Sequence, residues 1–248
     1  MLTANPRGNY HFLPGIAPYS SGATADDGFE VVHVTLHRPV PYRAGLDAIR
    51  RYLDDAGRPV HALCGIELRS PVPFTRAGFA EFNRGYCELL EAWDMLVNGV
   101  NPIARTNVAP AWQAPSEPSL HAFSYTATYA GDRRTFVVAG AGELRGGPLV
   151  QAEVIRPGET TPEALREKAA YVMKAMERRL DGLGVTWADV TATDVYTVCA
   201  MDEVLGPAVL DAIGPTAAHG LRWYHARPPI DELDYEMDAR GVRLEISL

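Results

Sequence analysis

Two arginines in proline-containing loops are the side chains best suited to binding an anionic small molecule. Arg105 lies in the segment PIARTNVAP and Arg222 in HGLRWYHARPP. A planar guanidinium can hold a carboxylate with two parallel, charge-assisted hydrogen bonds. Glu236, in the segment LDYEMDARG, carries a carboxylate that could orient a water molecule and accept its proton. These residue types predict a site that binds a carboxylate and moves a proton.

The histidines do not have the spacing of a recognised metal site. His33 and His37 fall on one face of a predicted strand, but no third ligand stands at a recognised spacing from them. We therefore expect ordinary, partly buried histidines and no bound metal. His121, His219 and His225 flank the segments that carry the arginines and Glu236, and each is a candidate acid or base.

The same order of elements occurs twice along the chain, with one arginine loop in each copy. Residues 45–69 indicate a helix, a glycine and a strand, and residues 171–199 indicate the same three features. Each copy continues through its arginine loop to a closing strand, LHAFSYTAT in one and LDYEMDARG in the other. This period is too long for a solenoid repeat. The chain is therefore predicted to contain two copies of a small domain, residues 1–128 and 129–248.

The composition is that of a globular protein. The chain has 248 residues, of which 47% are hydrophobic and 22% are charged, and its formal net charge is −8. This length suffices for two cores, and an acidic chain without a basic stripe lacks the footprint of a nucleic-acid-binding protein. Apolar runs are too short to span a bilayer, and three cysteines give no disulfide framework. Without a signal-peptide pattern, we expect a cytoplasmic protein with no nucleic-acid or membrane partner.

Both copies alternate strands and helices. In the first copy, residues 28–40 and 60–69 predict strands, and the periodic apolar residues of 42–56 predict a helix between them. Thr75 is suited to cap the next helix. The corresponding segments of the second copy are a strand at 134–144, a helix from Thr161–Pro162, a strand at 189–198 and a short helix at 201–213. This pattern predicts an α+β fold with helices on one face of each sheet.

Short motifs of the first copy stand in a characteristic order. Residues 18–22 read PYSSG, residues 53–57 read LDDAG, and residues 79–83 read FAEFN. Residues 102–106 read PIART, and the second copy retains Arg222 and a closing YEMDA. This order resembles the Rid/YjgF family of imine and enamine deaminases, which has PYSQA-like, AG, F-x-x-x-N and P-x-R-T elements. The resemblance implies two tandem Rid-like (chorismate-mutase-like) domains, each a mixed β-sheet with two helices on one face.

Each copy has kept family features that the other has lost. The first copy has Ala122, beside His121, where the family has an acid in the closing strand, and the second lacks the motif asparagine. Family active sites lie in clefts between neighbouring domains, so this complementary loss implies one working cleft that combines both copies. The residues expected in this composite cleft are Tyr19, Asn83 and Arg105 from the first copy and Gly142, Arg222 and Glu236 from the second.

The resemblance implies a hydrolytic deaminase that acts on an imino or enamino acid without a cofactor. Arg105 and Arg222 would hold the substrate carboxylate, and Glu236 would orient the water that attacks the C=N carbon. The carbinolamine would then collapse to a keto or enol acid and ammonia. Substrate binding is predicted for Tyr19, Asn83, Gly142 and His121. A duplicated chain of this size most resembles deaminases of 2-aminomuconate-type ring-cleavage products.

Other interpretations of the same residues remain open at this point. The arginines could bridge carboxylates across an interface, and Glu236 could be a solvated strand residue beside other acids. The partial loss in each copy also fits a non-catalytic small-molecule binder, and chorismatase-like chemistry is a related possibility. RNA cleavage, known for some relatives of the family, is disfavoured by the acidic charge. Because the family packs three domains together, two domains per chain imply a homotrimer with six.

Overall fold

The structure is a computed structural model that describes residues 1–146 and 151–248. The strands are β1 (Thr3–Asn5), β2 (Tyr10–Leu13), β3 (Gly22–Ala25), β4 (Phe29–Pro41), β5 (Leu63–Arg69), β6 (Ala104–Pro110), β7 (Ser119–Thr128), β8 (Phe136–Gly142), β9 (Leu144–Arg145), β10 (Glu153–Val154), β11 (Ala192–Tyr196), β12 (Arg222–Tyr224), β13 (Ala226–Arg227), β14 (Glu236–Gly241) and β15 (Leu244–Ser247).

Three long helices accompany these strands: α1 (Tyr42–Asp55), α2 (Arg76–Ala92) and α3 (Pro162–Leu183). The shorter helical pieces are 3-10 turns at Val60–Ala62, Trp187–Asp189 and Gly214–His219, a π turn at Gly206–Leu210, and α4 (Asp211–Ile213). The helices of the described residues are all too short or too polar to cross a membrane.

The strands form two mixed sheets that pack face to face. One sheet has the order β1-β2-β3-β8-β14-β11-β12 and the other β13-β6-β5-β7-β4-β15, and a two-stranded ribbon joins β9 to β10. Apolar side chains from both sheets, including Phe12, Val31 and Val137, fill the space between them. Helices α1 and α2 cover the outer face of the six-stranded sheet, and α3 covers the seven-stranded one. The predicted α+β class is confirmed.

The two copies exchange strands at their ends. β3 pairs with β8, so the segment from β1 to β3 extends the sheet of the second copy. In return, β15 pairs with β4 and β13 pairs with β6, which places two second-copy strands in the sheet of the first copy. The boundary at residue 128 therefore separates the repeated sequence units but not the two sheets. The reason is that the edges of β8, β4 and β6 are each paired with a strand of the other copy.

The helix boundaries follow from local chemistry. The side-chain oxygens of Thr75 and Thr161 accept hydrogen bonds from the backbone N–H groups of Gly78 and Ala164, which caps α2 and α3 as predicted. α3 ends at Gly184, whose φ of 73° is the left-handed conformation that a residue without Cβ adopts easily.

A buried ion pair holds the start of β14 against α3. The side chain of Lys168 is fully buried and contacts the carboxylates of Glu143, at 3.4 Å, and Asp234. The carboxylate of Glu143 also accepts hydrogen bonds from the backbone N–H groups of Asp234 (2.6 Å) and Tyr235 (3.2 Å). These contacts fix the backbone immediately before Glu236.

We predict that Lys168→Met lowers the free energy of unfolding by about 3–5 kcal/mol, because it leaves the buried Glu143 carboxylate without its cation. Urea denaturation would measure this change. Lys174→Met, at an exposed position of the same helix, is the matched control and should change stability by less than about 0.5 kcal/mol. Equal effects of the two substitutions would show that the buried pair does not hold β14.

Candidate active site

A cleft at the seam between the two copies contains most of the predicted site residues. Its inner end is a small cavity of about 40 Å³, and its outer part has a volume of about 440 Å³. The two parts adjoin, because Tyr19, Gly140, Gly142 and Leu144 line both. The outer volume lies in the range of small-molecule sites.

Arg105 points into the inner end from strand β6. Its guanidinium is 2% exposed, and Nη2 donates a hydrogen bond of 2.5 Å to Oδ1 of Asn83 on α2. The rings of Tyr19 and Tyr86 lie 4.7 and 4.6 Å from the guanidinium carbon, and those of Phe79 and Phe82 lie slightly farther away. Burial lowers the pKa of Arg105, and the neighbouring tyrosines oppose that shift. The guanidinium is thus held by an amide and aromatic faces.

Two buried donors at this inner end have no hydrogen-bond partner among the described residues. They are Nη1 of Arg105 and Nδ2 of Asn107, and both residues line the small cavity. Asn107 follows two positions later on β6, so its side chain leaves the strand on the same face. Its orientation is fixed because its Oδ1 accepts a 2.9 Å hydrogen bond from Ser70. Buried donors without partners are rare, and this pair is suited to a carboxylate.

Glu236 faces the same cavity from the opposite sheet. It is the first residue of β14 and pairs with Gly142 on β8. The side chain is 4% exposed, and burial raises its pKa to about 8, although the positive charges of Arg179 and Arg105 oppose that rise. An acid with this pKa is largely protonated at neutral pH and can both give and take a proton.

Glycine is required at position 140 because the carboxylate of Glu236 occupies the space of a side chain. A Cβ at that position would collide with Oε1 of Glu236. At position 142 a Cβ would lie 2.9 Å from Leu233, so this glycine also keeps the cleft open. The two glycines of β8 thus provide room for the acid and for a ligand.

Tyr19 reaches the cleft from the segment between β2 and β3. A hydrogen bond of 2.9 Å from the Ser20 backbone N–H to the Ile103 carbonyl holds this segment against the start of β6. A second hydrogen bond of 2.8 Å joins the Asn101 side-chain amide to the Pro18 carbonyl. Burial raises the pKa of the Tyr19 phenol, so its hydroxyl is neutral and can donate a hydrogen bond.

Arg179 is a cleft residue that the sequence interpretation missed. It lies on α3, lines the outer cavity, and donates through Nη1 to the carbonyls of Ala139 (2.6 Å) and Gly140 (3.0 Å). The available signal was its position between Met176 and Leu180, two residues of the predicted buried stripe. A long cationic side chain there must run along the apolar surface to reach a polar site.

The prediction placed Arg222 in the composite cleft and His121 among the substrate-binding residues, but both lie outside this cleft. Arg222 is on β12 and is ion-paired to Asp194 (3.4 Å) and Glu245 (3.2 Å). It is 44% exposed, so water and these acids satisfy its charge. Burial and the charge of Arg69 lower the pKa of His121 to about 4, so the imidazole is neutral at physiological pH.

Both residues border a second polar region between the sheets, the ionic cluster. It consists of Glu67, Arg69, Asp194, Asp238 and Arg240. Carboxylate oxygens of its three acids lie within 4.8 Å of one another. Arg240 contacts Asp194 at 2.7 Å and Glu67 at 3.9 Å, and Arg69 contacts Glu67 at 3.3 Å. Asp238 accepts a hydrogen bond of 3.0 Å from the Tyr196 hydroxyl. We assign the ionic cluster a structural role that joins the sheets.

One chain therefore brings together five of the seven predicted site residues. Asn83 and Arg105 come from the first copy, Tyr19 from the segment that joins the other sheet, and Gly142 and Glu236 from the second copy. The predicted combination of both copies is present, and these five residues meet without a contribution from a neighbouring chain.

Known proteins are similar to this chain over all or part of its length. Residues 2–246 match the model of a family described as 2-aminomuconate deaminase CnbZ. A curated protein of Comamonas testosteroni, 2-amino-5-chloromuconate deaminase, is 43% identical over 244 residues, which cover 97% of this chain and 96% of that protein. A chorismatase crystal structure aligns with 90% of this chain and 77% of its own at 15% identity and a TM-score of 0.44. The YjgF protein of E. coli aligns with 54% and 93% at 17% identity and a TM-score of 0.31.

We predict that Gly140→Ala lowers the free energy of unfolding by about 1–3 kcal/mol, because the added methyl group forces the Glu236 carboxyl group out of its place. Gly85→Ala is the control, since a Cβ on this helical residue would meet only an Arg43 atom at 3.9 Å. That control should be neutral or stabilising by up to about 1 kcal/mol. An unchanged stability of Gly140→Ala in urea denaturation would mean that Glu236 has an alternative position.

Proposed function

Because the chain belongs to the 2-aminomuconate deaminase CnbZ family, we propose that it hydrolyses an enamino or imino acid of the aminomuconate type and releases ammonia. The observation that carries this proposal is the pair of unpartnered donors, on Arg105 and Asn107, in the same cavity as the protonatable Glu236. That combination can hold a carboxylate and deliver a proton to a neighbouring carbon.

The substrate carboxylate next to the C–N carbon binds at the inner end of the cleft. Nη1 of Arg105 and Nδ2 of Asn107 donate to its oxygens, while Asn83 keeps the guanidinium in place. Charge-assisted hydrogen bonds of this kind contribute about 1.5–3 kcal/mol each. The carboxylate thereby fixes the adjacent C–N carbon beside Glu236.

Glu236 acts as an acid first and as a base second. The neutral carboxyl group protonates the enamine carbon, which converts C=C–NH2 into an iminium ion and leaves Glu236 as a carboxylate. This carboxylate then removes a proton from the water that attacks the iminium carbon, and a carbinolamine forms. The raised pKa of Glu236 suits both directions of transfer at neutral pH.

Collapse of the carbinolamine completes the reaction. Glu236 gives its proton to the amino group and then takes the proton of the hydroxyl group as the C–N bond breaks. One water is consumed, one ammonia and one ketone are formed, and Glu236 regains its proton. The sequence of steps balances with water as the sole co-reactant.

The homotrimer remains a proposal, supported by the large apolar side chains Val72 and Trp112, which are 65% and 80% exposed in the single chain. Burial of such side chains against neighbouring chains is a common source of assembly. Because one chain carries the five cleft residues, the assembly is not needed to bring these residues together.

We predict that Arg105→Gln lowers kcat/KM at least about 100-fold, since it removes the charged donor that holds the substrate carboxylate. Ammonia release would be measured with 2-aminomuconate, 2-aminoacrylate and a branched-chain imine, each generated in situ. The control is Arg84→Gln. Arg84 follows Asn83 on α2, is exposed and pairs with Glu81, so this variant should retain wild-type rates. Ligand binding without ammonia release by the wild-type protein would instead support a non-catalytic binder.

The pH dependence should follow the protonated form of Glu236. Because burial raises its pKa to about 8, kcat/KM should be constant below that pH and fall about tenfold per unit above it. Glu236→Gln should lower the rate by about 10²–10⁴-fold and abolish this alkaline limb. A rate that rises through pH 8 would contradict the acid-first order and assign Glu236 the role of a base only.

A further inference from the structure

We propose that Arg179 binds a second carboxylate, so that the cleft selects unsaturated dicarboxylates over monocarboxylates of the same length. This inference rests on the proposed function for the place of the first carboxylate, at Arg105. It assigns a specificity-determining role to a residue on α3 outside the motifs of the sequence.

Arg105 and Arg179 approach the same ligand volume from opposite ends. Arg105 lines the inner cavity, Arg179 lines the outer one, and Tyr19, Gly140 and Gly142 border both. Both guanidinium charges act on Glu236 and on Tyr19. A ligand held at Arg105 with its reacting carbon beside Glu236 must therefore extend past the two glycines toward Arg179.

Arg179 is oriented but not neutralised. Nη1 donates to the carbonyls of Ala139 and Gly140, which fixes the plane of the guanidinium. Within residues 1–146 and 151–248, its Nη2 and Nε have no hydrogen-bond partner, and no carboxylate is ion-paired to it. It therefore retains two donor nitrogens and its charge, which is what bidentate binding of a carboxylate requires.

The other residues that line the outer cavity also favour the binding of an anion. Its described lining includes the exposed Arg178 but no aspartate or glutamate, although the whole chain carries a net charge of −8. Tyr171 and Leu144 also line this cavity, and the Tyr171 hydroxyl donates a hydrogen bond of 2.7 Å to the Leu144 carbonyl. An acid-free wall with two arginines is a local positive region suited to a carboxylate.

Arg179 rather than Arg178 is assigned the specific role because of its fixed geometry. Arg178 is exposed to water, so its contribution to the binding of an anion is screened. Arg179 is less exposed and is held by two carbonyls, so less conformational entropy is lost when it binds a ligand.

The test compares two stable six-carbon probes that lack the amino group. Hexa-2,4-dienedioate carries carboxylates at both ends, and hexa-2,4-dienoate has a methyl group in place of one of them. Calorimetry would give Kd values for both probes with the wild-type protein, Arg179→Gln and Lys174→Gln. Lys174 is exposed on the same helix, so its substitution makes the same change of charge away from the cleft. Measurement at about pH 6 keeps Glu236 neutral in every variant.

We expect the wild-type protein to bind the diacid about 10–100-fold more tightly than the monoacid, as charge-assisted hydrogen bonds predict. Arg179→Gln should remove that preference and leave the Kd of the monoacid unchanged, while Lys174→Gln should retain the preference. An equal preference in Arg179→Gln and wild type, or no preference in the wild type, would overturn the inference. An altered pH profile with unchanged preference would do the same and would make Arg179 a positioning residue for Glu236.

A folding defect of Arg179→Gln would appear as loss of monoacid binding as well. In that case Arg179→Lys is the second variant to test. Its ammonium can still donate to the two carbonyls but cannot also make two parallel hydrogen bonds to the ligand carboxylate. The diacid preference should then fall at least about fivefold, and an unchanged preference would overturn the inference. These binding measurements involve no turnover. Failure of ammonia release with an intact diacid preference would refute the proposed deaminase activity alone.

Discussion

The cleft depends on the burial of the positive charge of Arg105 between the two copies of the fold. A guanidinium removed from water without compensation destabilises the folded state strongly. Asn83 accepts one of its hydrogen bonds, and the rings of Tyr19 and Tyr86 face it at less than 5 Å. Cation–π contacts in a desolvated place contribute about 2 kcal/mol each. These partners stabilise the charge without neutralising it, so an incoming carboxylate still gains from it.

The corresponding arginine of the second copy, Arg222, is stabilised by acids instead of by an amide and aromatic rings. Arg222 is ion-paired to Asp194 and Glu245 and borders a cluster in which Arg240 is paired with Asp194 and Glu67. The contacts of Arg240 with Glu67 and of Arg222 with Glu245 join the two sheets, and both arginines are already paired with acids. The two copies therefore differ in their arginines: Arg105 keeps a donor without a partner, whereas Arg222 is already paired with acids. The family to which the chain belongs is named for a deaminase activity. We propose that this activity takes place at Arg105.

Strand exchange explains why the cleft can form within one chain. β1–β3 extend the sheet of the second copy while the segment that follows β2 carries Tyr19 onto Arg105. β6 and β8, which belong to different sheets, face each other and supply the arginine and the glycines of the cleft. The position of each site residue therefore depends on both sheets, and the buried Lys168–Glu143 pair anchors the strand of Glu236.

The sequence by itself determined the duplication, the central strands and long helices of each copy, the helix caps at Thr75 and Thr161, and the family, but not the terminal strands β1–β3 and β15. These features are local or periodic, and their chemistry is readable in a few neighbouring residues. It also indicated a cleft made from both copies, because each copy had lost what the other kept. Only the tertiary structure decided which arginines meet. Arg179 replaced Arg222 in the cleft because helix α3 packs over β8, and pairing across sheet edges depends on contacts distant in sequence.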